Sequence, residues 1–185
     1  MSNATAAAFA AVMFAALYAS HHVGDHVVQS SAVAAAKSVP HPDALAAGVP
    51  PWTGWGACLR HVAGYAATQA AALALVCVVV PLEIVGMATA LVVSASTHAV
   101  IDRRWIVHRL IELKRCHDWA EAPYVLDQSL HMGAMLVAAV LSVAVNDVAG
   151  LIMVLAGAGA VVGAALTMER RFASACTRSM DSLSR

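Results

Sequence analysis

Ser94–Arg104 reads SASTHAVIDRR and closes an apolar run that starts at Leu82, so a stretch long enough to cross a bilayer ends in His98, Asp102, Arg103 and Arg104. Such a span needs about 20 apolar residues, each rising about 1.5 Å. His98 and Asp102 are separated by one helical turn and lie one above the other on a single face. Ionisable groups at membrane depth are costly, turn towards a bundle interior and mark functional sites. The stretch therefore predicts a membrane helix with a polar face that meets partners on other helices.

Composition extends this reading to the whole chain. Its 185 residues are 61% hydrophobic and 12% charged, with a mean hydropathy of +0.73, whereas soluble domains average about 25% charged. This is the composition of an integral membrane protein. A formal net charge of zero and 5% aromatic content offer no nucleic-acid surface. Cys58, Cys77, Cys116 and Cys176 show no CxxC spacing and read as free, packing thiols.

Working outward, the expected fold is all-α: a polytopic bundle of about five spans at residues 4–28, 57–80, 82–101, 124–145 and 148–166. The first span lacks a basic leader and reads as a span rather than a signal peptide. It ends in HHVGDHVVQ, where His21, Asp25 and Gln29 share a face and His22 and His26 point elsewhere. Residues 30–56 form a connection in which Pro40, Pro42, Pro50 and Pro51 deny a continuous helix. The second span opens with His61, Tyr65 and Gln69, and the fourth with Asp127 and His131. In the connection 103–123, Ile106, Leu110 and Leu113 recur among basic residues, as in a helix lying in the membrane interface. The fifth span holds Gly159 and Gly163, a spacing suited to a homo-oligomer contact, and the tail 167–185 is short and polar.

Five crossings place both long connections and the tail on one side, and all 11 Lys and Arg residues fall there. The positive-inside rule then gives N-out, C-in, with Trp52, Trp55, Trp105 and Trp119 as interface anchors on the cytoplasmic side. The same topology gathers His21/Asp25, His61/Tyr65, His98/Asp102 and Asp127/His131 near that face. His21, His98 and His131 should converge at one depth, about 5 Å deeper than Asp25, Asp102 and Asp127.

The motif order is His21-x3-Asp25-x3-Gln29, then His61, then Thr97-His98-x3-Asp102, then Asp127-Gln128-x2-His131, from about Tyr18 to Leu141, with Lys37 following Gln29. It resembles the bacterial membrane family designated domain of unknown function 3307 (DUF3307). The resemblance implies a multi-pass protein of the bacterial inner (cytoplasmic) membrane and imports no activity.

His21, Asp25, His61, His98, Asp102, Asp127 and His131 together are a candidate metal-ligand set. Imidazole and carboxylate suit a divalent ion, with zinc expected first, iron or manganese as alternatives, and one or two ions accommodated. A three-histidine site with an open fourth position would lower the pKa of bound water to about 7. Asp25, Asp102 or Asp127 is then the candidate catalytic base. The constellation, though not the motif order, resembles intramembrane hydrolases of the ceramidase and adiponectin-receptor type, and Ser94 sits one turn from His98 for a supporting or oxyanion role.

The expected function is a metal-dependent hydrolase embedded in the lipid bilayer, with a lipid as candidate substrate. Two alternatives stand beside it: a metal-ion or proton-coupled transporter, and a structural or accessory protein whose His/Asp pairs are interhelical glue. Confinement of the polar groups to one half of the spans counts against a path through the membrane. Gln29 and Gln128 read as supporting donors, and His22, His26, His41, His108 and His117 as interfacial or solvated. The basic cluster from Arg103 to Arg115 reads as a topology signal and a contact for anionic lipid.

Overall fold

The apolar run around SASTHAVIDRR becomes the central helix of the bundle. The computed structural model describes residues 2–183, which form helices and connections with no strand. In chain order these are α1 (Asn3–Val23), continued by a π-helical turn at Gly24–Val28, then α2 (Ser31–Ala36), α3 (Pro42–Ala46) and α4 (Trp55–Val76). After them come α5 (Ile84–Asp102), α6 (Trp105–Lys114), α7 (Ala122–Ala144) and α8 (Val148–Leu183). Helix α5 packs against α4, α7 and α8, while α1 leans on α4 and α7.

Four helical stretches are long and apolar enough to cross a membrane: Asn3–Val28, Ile84–Asp102, Ala122–Ala144 and Val148–Cys176. The expected span at 57–80 is present as α4, but it is not among them. Arg60, His61, Tyr65 and Gln69 dilute its first half, and α4 depends on neighbours to cover His61, Tyr65 and Gln69, all of which are buried. The expected polar tail from residue 167 is instead a continuation of α8 to Leu183. No Gly or Pro interrupts the sequence after Gly163, so nothing stops the helix there. Residues 184–185 of that expected tail lie outside the described residues.

Residues 30–56 are less open than a connection suggests. They form a strap that folds back on the bundle end, with α2 against α4 and α3 against α8. Val39 joins a buried cluster with Val100, Trp105, Ala165 and Phe172. The pin is Arg103, which is fully buried and donates from Nε and Nη2 to Glu169 Oε1 at 3.0 and 2.6 Å. Its Nη1 donates to the Lys37 carbonyl at 2.8 Å, and Nη2 also reaches the carbonyls of Pro51 and Thr53 at 3.1 and 3.0 Å. Gly54 sits beside it at φ +94, where a Cβ would come within 2.5 Å of the Ala36 carbonyl and 2.8 Å of Arg103 Nη1. Only glycine fits that turn.

Two surface readings are corrected by this packing. Arg103 is an internal tie rather than a lipid contact, and Trp105 is 6% exposed within the Val39 cluster. Trp55 lies under the Arg103 guanidinium at 5.0 Å, so only Trp52 and Trp119 remain exposed as anchors would be. Helix α6 buries Trp105 and Val107 against the bundle, with Ile106 and Leu110 half-buried and Leu113 exposed.

The far half of the bundle is an apolar cluster of Met13, Leu17, Leu73, Val93 and Met135, closed by Ala90, Ala138 and Ala139. Small residues let α5 and α7 approach closely. A Cβ on Gly86 would collide with the Ser142 carbonyl oxygen, so Gly86→Ala must push the helices apart. The expected cost is about 1–3 kcal/mol, read as a lower unfolding midpoint in detergent. Gly133→Ala, which would meet nothing within 4 Å, is the control; an equal loss from both would remove the packing explanation.

Candidate metal centre

Each polar pair sits where its helix nears the strap: His21 in the last turn of α1, His61 early in α4, His98 and Asp102 at the end of α5, and Asp127 and His131 early in α7. Spacing of one turn stacks each pair on its own helix face. Asp25 falls on the π-helical turn, where Gly24 lies against Tyr65 with room for little more than a hydrogen. Such wide turns often mark functional sites.

All seven candidates meet. The imidazole centroids of His98 and His131 are 4.3 Å apart, those of His21 and His131 4.9 Å, and those of His61 and His98 4.9 Å. His21, His98, Asp102 and His131 are each at most 2% exposed. Three ligand groupings result, each with its atoms within 4.8 Å of one another: His21/His98/His131, Asp25/His61/His98, and Asp102/Asp127/His131.

The second grouping is drawn tightest. His61 Nε2 and His98 Nε2 are 2.8 Å apart, and Asp25 Oδ1 lies 3.2 Å from the former and 3.4 Å from the latter. A tetrahedral site with bonds of about 2.0–2.1 Å has ligand-to-ligand edges of about 3.3 Å. Asp102 Oδ2 lies 3.2 Å from both nitrogens. His61 thus takes its carboxylate partners from the π-helical turn after α1 and from α5 rather than from its own helix.

The donor balance fits a cation. Two neutral imidazoles share at most one proton between facing nitrogens. Asp25 Oδ1, Asp102 Oδ2, Asp127 Oδ1 and His131 Nε2 are buried without a hydrogen-bond partner. Buried carboxylate oxygens so placed are costly unless a cation or the ring N–H groups facing them serve them.

Supporting contacts hold the rings. Tyr65 stacks on His98 at 3.7 Å between centroids. Gln69 Nε2 donates to the Tyr65 hydroxyl at 2.7 Å, and that hydroxyl shares a further hydrogen bond with Ser94 Oγ at 2.9 Å. Ser94 therefore supports Tyr65. Gln128 Oε1 is 3.2 Å from His21 Nε2, and its amide nitrogen donates to Asp127 Oδ2 at 3.3 Å. The Nδ1 atoms of His21 and His98 have no partner, so His98 is held by the Tyr65 ring on its face and by the contacts of its Nε2 with His61 and Asp102. His22 is half-buried and lies edge-on to His21 at 5.4 Å between ring centroids, while His26, His41, His108 and His117 are exposed.

One member was not read as a site residue in the sequence. Lys37 is 3% exposed, and its Nζ reaches Asp102 Oδ1 at 2.8 Å. Its spacing after Gln29 was the only signal.

The sequence profile of a family described as "Protein of unknown function (DUF3307)" matches residues 56–156, more than half of the chain, and the protein belongs to that family. The matched segment contains His61, His98, Asp102, Asp127 and His131, while His21, Asp25 and Lys37 precede it. No curated protein and no solved structure matches the chain.

Proposed function

We propose that this DUF3307 member is a five-crossing protein of the bacterial inner membrane, N-out and C-in, that binds a divalent metal, zinc first, and uses it for hydrolysis. The observation that carries the reading is the tight Asp25/His61/His98 grouping, flanked by Asp102 and left with unpaired acceptors. The fifth crossing is assigned to α4, which packs against α1 and α5. A metal bound there would polarise a carbonyl or phosphoryl oxygen and acidify water to about pKa 7. Asp127, oriented by Gln128 and 3.7 Å from His131, is placed to hold a proton beside it. The candidate substrate class is a lipid with a hydrolysable linkage, and the site is assigned an opening to the cytoplasm or the inner leaflet.

Two observations favour this over the other readings. The apolar cluster of Met13, Leu17, Leu73, Val93 and Met135 occupies the same helices beyond the site, which opposes a transport path. Interhelical glue would pair one donor with one acceptor, whereas Asp25 Oδ1 and Asp102 Oδ2 both converge on the facing nitrogens of His61 and His98.

Elemental analysis of detergent-purified protein tests the reading. Wild type is expected to hold metal stoichiometrically and His98→Ala to lose it, with His131→Ala measured alongside. Wild type devoid of metal would end the proposal. Metal flux into proteoliposomes, abolished by the same substitutions, would replace hydrolysis with transport.

A further inference from the structure

Lys37 is placed as a cation inside a cation site. Its backbone is fixed by the strap, with its carbonyl accepting from Arg103 Nη1 and its N–H donating to the Val33 carbonyl at 3.0 Å. Its ammonium is thereby delivered to one oxygen of Asp102, the carboxylate shared by most of the cluster. That oxygen, Oδ1, is also the one facing His131 at 3.7 Å, while Oδ2 faces His61 and His98. Lys37 thus takes the Asp102 oxygen that the Asp102/Asp127/His131 grouping would need, and leaves free the one beside Asp25/His61/His98.

The formal charges agree. The three carboxylates Asp25, Asp102 and Asp127, ionised, with the one ammonium of Lys37, leave a charge of minus two among neutral imidazoles. Arg103 does not alter this, because Glu169 pairs with it. A single divalent ion makes the buried cluster neutral, and a second would leave it strongly positive in a medium that penalises uncompensated charge.

We propose that Lys37 stands in for the second metal ion of a potentially dinuclear site. Resting on the metal reading above, this assigns one divalent ion per chain, held at Asp25/His61/His98 beside Asp102 Oδ2, with Lys37 blocking the Asp102/Asp127/His131 position. Removing the ammonium frees Asp102 Oδ1 and a unit of negative charge, and opens that second position.

The test is zinc stoichiometry of the full chain, loaded with zinc and freed of loosely bound ion, by elemental analysis. Wild type and Lys37→Arg are expected to hold one zinc per chain, and Lys37→Met and Lys37→Gln two, a doubling. Adding Asp127→Asn to Lys37→Met is expected to return the count to one. Two zinc ions in wild type, or one in both Lys37→Met and Lys37→Gln, would overturn the proposal even with the metal reading intact. If neither neutral variant folds, two ions in wild type still overturn it, and one ion in both wild type and Lys37→Arg supports it. Wild type without zinc would remove the metal reading itself, a different result.

Discussion

Arg103→Ala is expected to destabilise the protein by about 3–5 kcal/mol, the range for removing one partner of a buried ion pair. The side chain is wholly buried, and each of its nitrogens donates, Nε and Nη2 to the buried Glu169 carboxylate and Nη1 to the Lys37 carbonyl. Its loss strands Glu169, 3% exposed, as a buried carboxylate and unpairs the carbonyls of Lys37, Pro51 and Thr53. Lysine is a poor substitute, because an ammonium does not reproduce the planar fork that spans Glu169 and three carbonyls. Arg103→Met with Glu169→Met removes both charges and is expected to recover much of the loss. Protease cleavage within residues 30–56, followed against temperature, reports the release of the strap. If Arg103→Ala were no more easily cleaved than Arg60→Ala, whose side chain is exposed, Arg103 would not be the pin.

The pairing of His21 with Asp25, His98 with Asp102 and Asp127 with His131 was legible because the helical period alone stacks them. Their convergence followed from counting crossings. His61 was harder to weigh, since no carboxylate lies one turn from it and its partners arrive from other helices. Lys37 and Arg103 were illegible for a related reason. The positive-inside rule counts basic residues by side and is blind to burial, while their burial comes from a strap whose return depends on contacts with α5 and α8. The π-helical turn has no sequence signature beyond Gly24. Continuation of α8 past the apolar run, by contrast, had a readable signal in the absence of a breaker, which the polarity from Glu169 onward obscured.

Asp102→Ala is expected to act in two ways that can be separated. The first concerns stability: Lys37 would be left as a buried cation with no counter-charge, which costs about 3–5 kcal/mol. The second concerns the metal: losing the carboxylate 3.2 Å from both His61 and His98 is expected to weaken zinc binding by at least about 10–100-fold. Combining Lys37→Met with Asp102→Leu removes both charges, so no buried group is stranded and much of the stability should return. Zinc binding should not return with it, because the oxygen beside the imidazole pair is still missing. The unfolding midpoint and the zinc affinity of the single and double variants therefore diverge if the cluster is a metal centre. Were the cluster only interhelical glue, the double variant would regain its midpoint while neither it nor wild type held zinc, so stability would be the only property the substitutions moved.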